Sequence, residues 1–294
     1  MRSLRTNKTL RTNVITYAVV VAAFVLFQAL GSAGVLSSTM KGQLVPICAY
    51  VLMALSLNLT VGILGELSLG HAGFMSVGAF AGAVTASAMQ DSVPSSALRL
   101  TVAVLVGAAL AAIVGVLIGI PVLRLNGDYL AIVTLAFGEI IKSIVNNLYI
   151  GMDVNGLHAS FLNNTIVLGE GGRMILSGPM GVPGIKKTAT FAAGFILILI
   201  ALFVIFNLVN SRAGRAIMAL RDNRIAAESV GINVTKYKLM AFVISAAIAG
   251  AGGALYGQAQ NAIIATKFDF NTSILILVFV VLGGLGNMWG SVIA

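Results

Sequence analysis

Eight apolar stretches dominate the chain, and each is long enough to approach or match the hydrocarbon core of a bilayer. A helix needs about 20 mostly apolar residues to cross that core. The stretches are solidly apolar rather than alternating, which favours helices over a β-barrel. We therefore predict an all-α polytopic membrane protein, a single transmembrane domain over residues 1–294 with about eight spanning helices. The stretches are roughly 14–36, 43–63, 67–89, 100–123, 129–149, 189–209, 239–263 and 272–294.

Two of these stretches depart from a simple span. Residues 67–89 begin with LSLGH, so this segment either crosses as a broken helix or re-enters the membrane, buried among other helices. The last stretch stops at Ala294 without a polar cap or an interfacial anchor, where a spanning helix normally has one. We therefore expect the chain to be truncated and to lack at least one C-terminal element.

Glycine pairs four residues apart recur within the apolar stretches. Small residues at this spacing let helix backbones approach closely in lipid, where van der Waals packing drives association. They predict tight helix packing and indicate no particular activity. The pairs are Gly78/Gly82, Gly115/Gly119, Gly253/Gly257 and Gly286/Gly290.

The net charge of +9, from 18 basic and 9 acidic residues, indicates the orientation of the chain. If the N-terminus lies inside and every stretch crosses, the inner segments 1–13, 64–66, 124–128 and 210–238 hold eleven Lys and Arg residues against six outside. Cytoplasmic loops collect such residues. We therefore predict a cytoplasmic N-terminus, a cytoplasmic loop at 210–238 and an extracytoplasmic loop at 150–188. No aromatic-interleaved basic face accompanies the charge, so nucleic-acid binding is not expected.

The predicted extracytoplasmic loop, residues 150–188, is rich in Gly, Asn and Pro. A loop of this length is usually functional or partly disordered. It is either a docking surface for an extracytoplasmic protein or a variable insertion.

Residues that carry chemistry are scarce. The sequence has no phosphate-binding glycine loop, no grouped metal ligands and a single cysteine, Cys48, inside an apolar run. We therefore expect no catalytic residue, no metal and no cofactor, and the chain is not expected to be an enzyme.

Ionisable residues inside spans are functional candidates by default. Glu139 and Lys142 share a helix face, as a structural pair or as part of a substrate path. Ser68 and His71, at the helix break, belong to the same path unless His71 only bonds a helix-end carbonyl.

The most polar stretch, residues 211–238, holds six of the eighteen basic residues. Residues 213–221 have a short amphipathic pattern, Asp222 and Asn223 are favoured N-cap residues, and Gly231 suits the closing position of a second helix, RIAAESV. The pattern predicts two short helices with a capped break. Such caps favour docking to a partner over simple anchoring on anionic lipid.

The sequence AAESVG at 226–231 resembles the A-A-x-x-x-G core of the coupling segment in importer-type ABC permeases, the segment that docks into the ATPase subunit. Ile225 departs from that pattern, which has Glu at this position. Longer blocks resemble the M-type permease subunit of branched-chain amino-acid ABC transporters, although the loop after Asn147 is longer than the expected short form. The blocks lie at 67–80, 123–147, 214–256 and 280–294.

The resemblance implies an all-helical permease in the lipid of a bacterial or archaeal inner membrane. Its implied partners are a homologous second permease subunit, two cytoplasmic ATP-binding subunits and an extracytoplasmic substrate-binding protein. ATP hydrolysis in the partners would drive alternating access for leucine, isoleucine and valine. The alternative cargo is urea, or a small amino acid other than these three. The alternative function is that of a secondary carrier, a channel or a structural subunit. The residues assigned to ATPase coupling are Arg221, Asp222, Asn223, Ala226, Ala227, Glu228 and Gly231.

Overall fold

The computed structural model describes residues 2–34, 36–90, 92–125, 127–153, 156–163, 165–166, 168–169 and 172–294. The chain is mostly helical, as its apolar stretches predict. The helices are α1 (Arg2–Ser32), α2 (Ser38–Asn58, extended by a π turn, Leu59–Leu64), α3 (His71–Ala88), α4 (Ser96–Val122), α5 (Asp128–Asn146), α6 (Phe191–Asn210), α7 (Arg212–Asp222), α8 (Arg224–Ser229), α9 (Val234–Ala259), α10 (Phe270–Gly283) and α11 (Met288–Ile293).

Five of the described helical segments are long and apolar enough to cross a membrane. The apolar part of α1, Thr16–Gly31, is shorter. The helical, multi-pass architecture is therefore confirmed, whereas the count of eight spans stays a prediction. The five segments are Ser38–Leu64, Ser96–Val122, Phe191–Asn210, Val234–Ala259 and Ala265–Gly283.

The long loop predicted at 150–188 contains a small antiparallel sheet, so the all-α description holds for the bundle but not for this segment. Its strands are β1 (Leu148–Asp153), β2 (Gly156–Phe161) and β3 (Arg173–Ser177), in the order β2-β1-β3. Arg173 donates to the carbonyl of Ser87 at 2.6 Å and so fastens β3 to the end of α3. We call this end of the bundle the sheet end, and the opposite end, where α7 and α8 lie, the loop end.

Glycines bring α3, α4 and α9 into close contact at the centre of the bundle. Gly78 of α3 faces α9 so closely that a Cβ there would overlap the carbonyl of Gly250. A Cβ on Gly115 of α4 would lie 2.8 Å from the Cβ of Ala246 in α9. Three of the four predicted glycine pairs therefore serve helix packing. These are Gly78/Gly82, Gly115/Gly119 and Gly253/Gly257.

The last apolar stretch, predicted as one span over 272–294, is interrupted. The chain leaves α10 at Gly283, turns through Gly284 and Gly286, and folds back so that Gly290 packs on Gly283. Gly284 and Gly286 have φ values of 91° and 79°, which glycine adopts without a steric penalty. The prediction of a continuous helix is wrong here, and Gly286 is a turn residue rather than a helix-packing one.

The third apolar stretch contains the predicted helix break. Residues 65–70 are not helical, and α3 begins only at His71. His71 contacts Ser245, which lies 11 residues (245 − 234) after the start of α9 at Val234. At a rise of about 1.5 Å per residue, α3 therefore begins about 16 Å inside the bundle. The non-helical segment reaches that depth from the loop end.

Candidate functional site

Helix α7 is held against the bundle by its own amphipathic face. Ile217 and Leu220, three residues apart, are 0% and 5% exposed. At the start of the helix, Ser211 accepts a hydrogen bond from the amide of Gly214 at 3.1 Å, the arrangement of an N-cap. Gly214 is packed so tightly that a Cβ would overlap the carbonyls of Leu208 and Val209. The polar stretch therefore begins with a helix that belongs to the fold.

Helix α8 follows after the capped break that the sequence predicts. Asn223, rather than Asp222, is the N-cap, and its side-chain oxygen accepts from the amide of Ala226 at 3.0 Å. Gly231 closes the helix with a φ of 81°, and the next amide, that of Ile232, bonds the carbonyl of Ala227 at 3.1 Å. This is the hydrogen-bonded closure expected of a glycine after a helix C-terminus. We call α7 and α8 together the capped helix pair.

The two adjacent alanines of α8 that are assigned to ATPase coupling lie in different surroundings. Ala227 is 4% exposed and packs inside the chain, whereas Ala226 is exposed. The two large apolar residues of this region, Ile225 and Val230, are 80% and 74% exposed. The presented surface is thus Ile225, Ala226 and Val230, with Gly231 at its edge. Ile225, the departure from the family pattern, is its most prominent member.

The charged residues at 221–228 divide into two groups. Arg224 pairs with Glu228 one turn along α8 at 3.1 Å, and both side chains are largely exposed. Arg221 instead turns toward the bundle and donates from Nη1 to the carbonyl of Gly62 at 2.8 Å. Asp222, which is exposed, accepts from the other edge of the same guanidinium at 3.2 Å.

His71 lies in a buried cluster of hydroxyl groups where α2, α3 and α9 meet. The hydroxyl of Ser56 donates to the carbonyl of Ser245 and that of Ser245 to the carbonyl of Ser56, at 2.6 and 2.7 Å. Thr60 donates to the Ser245 hydroxyl at 2.7 Å. Because these protons are engaged, His71 donates from Nε2 to the Ser56 oxygen, 2.6 Å away. Nδ1 of His71 then faces the interior without a partner among the described residues.

The non-helical segment before His71 is fixed to α5, and the first turn of α3 is fixed to α10. The amide of Leu69 donates to Thr134 of α5 at 3.0 Å, and the amide of Ala72 donates to Ser273 of α10 at 3.2 Å. Ser68 is 1% exposed, and its hydroxyl has no partner among the described residues. The predicted path residue Ser68 therefore lies inside the break, in the same region as His71.

Glu139 and Lys142 form the predicted ion pair at 2.7 Å, on the outer surface of α5. Their side chains are 46% and 24% exposed, so they face away from the core of this chain. A narrow crevice between α3, α5 and α10 nevertheless lies beside both this face and the break, and it is lined by Leu69, Gly70, Glu139, Asp269 and Ser273 among others. The structure thus brings Glu139 to the edge of the segment that contains Ser68.

Several buried polar contacts at the loop end were not found from the sequence. Lys238 and Glu66 form an ion pair with side chains 5% and 13% exposed. Asn58, fully buried, bonds three groups of the α10–α11 region. The one usable signal was the presence of polar residues inside apolar stretches, since buried polar groups need partners. Among the described residues, no three His, Cys, Asp or Glu side chains converge as metal ligands.

Comparison with known proteins places this arrangement in a family. The sequence profile of "Branched-chain amino acid transport system / permease component" matches residues 39–294. The chain belongs to this family of permease components.

Three relatives show how far the likeness extends. This permease component is 38% identical over 257 residues to the high-affinity branched-chain amino acid transport system permease protein LivM of Salmonella typhimurium, and 36% identical over 257 residues to that of Escherichia coli. Both alignments cover 83% of this chain and 58% of the relative. A probable branched-chain amino acid transport permease protein of Methanocaldococcus jannaschii is 25% identical over 270 residues, which are 82% of this chain and 74% of the relative.

This permease component spans 58% of the length of its Salmonella and Escherichia relatives. No solved structure matches it significantly.

Proposed function

We propose that the chain is the membrane-spanning permease subunit of an ATP-driven importer of branched-chain amino acids. Residues 1–294 act as one permease domain, and ATP hydrolysis takes place in two separate ATP-binding subunits. These subunits move the capped helix pair, and the bundle alternates between outward- and inward-facing states. The chain carries no catalytic residue in this scheme.

The observation that carries the proposal is the exposed apolar surface of α8 in the middle of the most polar stretch. A short helix with Ile225 and Val230 more than 70% exposed leaves apolar area in water unless a partner covers it. Caps at both ends and an anchored neighbour, α7, hold that surface in one orientation. The class of partner that we propose rests on the resemblance of this segment to importer-type permeases, in which it docks into an ATPase.

In this proposal the loop end is cytoplasmic, together with the N-terminus, and the sheet end faces the extracytoplasmic binding protein. Val230 offers a direct test because its side chain is 74% exposed and the described cysteine, Cys48, is buried. In cells that express the permease without the ATPase subunits that would cover this surface, we expect Val230→Cys to react with a membrane-impermeant maleimide only after permeabilisation. Labelling of intact cells would refute the orientation.

The substrate path in this proposal runs along the crevice between α3, α5 and α10, with a homologous second permease subunit closing its open side. Three observations support it: the break at 65–70, the unpartnered hydroxyl of Ser68, and the exposed Glu139–Lys142 pair at the crevice edge. Irregular backbone at membrane depth is tolerated where it is buried in protein or lines a cavity. His71 stabilises the break through its hydrogen bond with Ser56.

The proposal is tested by uptake in proteoliposomes that contain the chain, its second permease subunit, the ATPases and the binding protein. We expect ATP-dependent accumulation of labelled leucine, isoleucine and valine. A nucleoside ABC transporter permease protein of Lactococcus lactis is 25% identical over 207 residues, so a nucleoside joins urea in the panel. Accumulation of another solute would overturn the cargo assignment, and accumulation without any ATPase subunit would overturn the importer assignment in favour of a secondary carrier.

A further inference from the structure

Beside its apolar packing, the capped helix pair is joined to the end of α2 by a hydrogen bond from Arg221. Its Nη1 donates to the carbonyl of Gly62 at 2.8 Å, in the π turn that ends α2. Its aliphatic stem lies against Gly65, where a Cβ would be 2.5 Å from Cγ of Arg221. Arg221 therefore covers the end of the 27-residue candidate span Ser38–Leu64, although it lies 159 residues after Gly62 in the sequence.

The end of α2 needs such a partner. The last carbonyls of a helix have no intrahelical donor, and the helix dipole places partial negative charge there. The amides of Gly65 and Glu66 both bond the carbonyl of Thr60, which leaves that of Gly62 to Arg221. A guanidinium suits this role because its five donors form a rigid fork. One edge bonds Gly62, and the other bonds Asp222.

Gly62 is in turn locked to the α10–α11 turn. A Cβ on Gly62 would overlap the backbone of Gly286, so the two segments are in direct contact. Asn58 accepts from the amide of Gly286 at 2.7 Å and donates to the carbonyl of Asn287 at 3.1 Å and to Ser291 at 2.8 Å. Asn58 is fully buried, and breaking these bonds would leave its polar atoms unsatisfied at a cost. The end of α2 and the turn therefore move together.

The same helix end leads into the non-helical segment. Glu66 follows the π turn and forms the buried ion pair with Lys238, near the start of α9. Residues 67–70 then run to His71. A displacement of the π turn is thus passed along a continuous set of bonds to the break that contains Ser68.

We propose that Arg221 is the positioning residue through which movement of α8 reaches the substrate path, and that Asp222 holds its guanidinium in place. This rests on the proposed import function. Arg221 touches no ATP and no solute. It determines how much solute is transported for each ATP that is hydrolysed.

The test uses the complete transporter in proteoliposomes, with ATP hydrolysis and solute uptake measured in the same samples. For Arg221→Gln we expect ATP hydrolysis within about twofold of wild type and uptake lowered about tenfold, the size of an ordinary coupling free energy. The ratio of ATP hydrolysed to solute transported therefore rises about tenfold. Arg221→Lys, which keeps the positive charge but lacks the planar fork that bonds Gly62 and Asp222 from two edges, gives an intermediate ratio. The matched control is Arg215→Gln, because Arg215 of α7 bonds the carbonyl of Asn210 at the end of α6 and does not reach the π turn of α2, and its ratio stays at the wild-type value.

A second variant separates coupling from loss of fold. Asp222 is 70% exposed at its side chain, so Asp222→Asn keeps the fold and raises the same ratio by a smaller factor. If Asp222 acts through Arg221, the double variant matches Arg221→Gln alone rather than adding to it. A wild-type ratio in Asp222→Asn and Arg221→Lys, or equal losses of hydrolysis and uptake in every Arg221 variant, overturns the inference. Absence of ATP-driven uptake in the wild type would instead overturn the proposed function.

Discussion

Helices α7 and α8 are neighbours in the same polar stretch, yet they relate to the bundle in opposite ways. α7 buries Gly214, Ile217 and Leu220 at three-residue intervals, and its last turn reaches α2 through Arg221. α8 buries Ala227 and leaves Ile225 and Val230 in the open. The difference shows that one helix is an anchor that belongs to the fold, while the other is a presented surface. Asn223, which ends α7 and caps the start of α8, joins the anchor to the presented surface.

The comparison is tested most strongly by placing a charge on each helix. Ile217→Asp buries a carboxylate at a 0% exposed site, and we expect it to lower the stability of the folded protein by about 3 kcal/mol or more. The matched variant Ile225→Asp lies at an 80% exposed site and should leave stability unchanged while weakening ATPase binding. Thermal unfolding in detergent and co-purification of the ATPase measure the two effects. Equal stability of the two variants would contradict the division between anchor and surface.

The adjacent alanines of α8 give a second contrast, of moderate size. Ala227→Arg forces a long side chain into a buried position, and overpacking of this kind costs about 1–3 kcal/mol. Ala226→Arg, at an exposed position, should keep the melting temperature while ATP-driven uptake falls. A melting temperature lowered equally by both would show that Ala226 is not presented to a partner.

The closing glycine tests whether α8 needs its fixed orientation. Gly231 has a φ of 81°, and a side-chain carbon added there would meet no atom within 4 Å, so Gly231→Ala introduces backbone strain alone. We expect a loss of about 1–2 kcal/mol, and a smaller loss for Gly231→Asn because asparagine tolerates this conformation. Uptake should follow the same order. An alanine variant as stable and active as the asparagine variant would mean that the closure is dispensable.

The smallest effect is expected at the exposed ion pair of α8. Glu228→Gln removes the negative charge that faces Arg224 at 3.1 Å, and such i, i+4 ion pairs contribute about 0.5 kcal/mol or less. Stability should barely change, and high salt should remove what difference there is. A loss of ATPase binding with unchanged stability would place Glu228 in the docking surface instead.

Local signals predicted the capped helix pair well. Asn223 and Gly231 act within a few residues of their own positions, so cap chemistry was readable from the sequence. The glycine pairs of α3, α4 and α9 were readable for a similar reason, since their spacing follows the helix period. The inward turn of Ala227 was not, because adjacent alanines are equivalent until a neighbour covers one of them. The break at Gly284 and Gly286 was missed because an apolar run containing glycine suits a helix as well as a hairpin.

Hydropathy, charge bias and motif order in the chain were enough to establish a multi-pass membrane protein and to predict its family and its capped helix pair. These properties depend on each residue's own transfer energy or on near neighbours. Tertiary structure decided which polar groups meet. Ser56 and Ser245 are 189 residues apart, Glu66 and Lys238 are 172 apart, and Gly62 and Arg221 are 159 apart. Their pairing follows from burial: once the helices pack, each polar group excluded from water must find a partner among the groups that packing brings within reach.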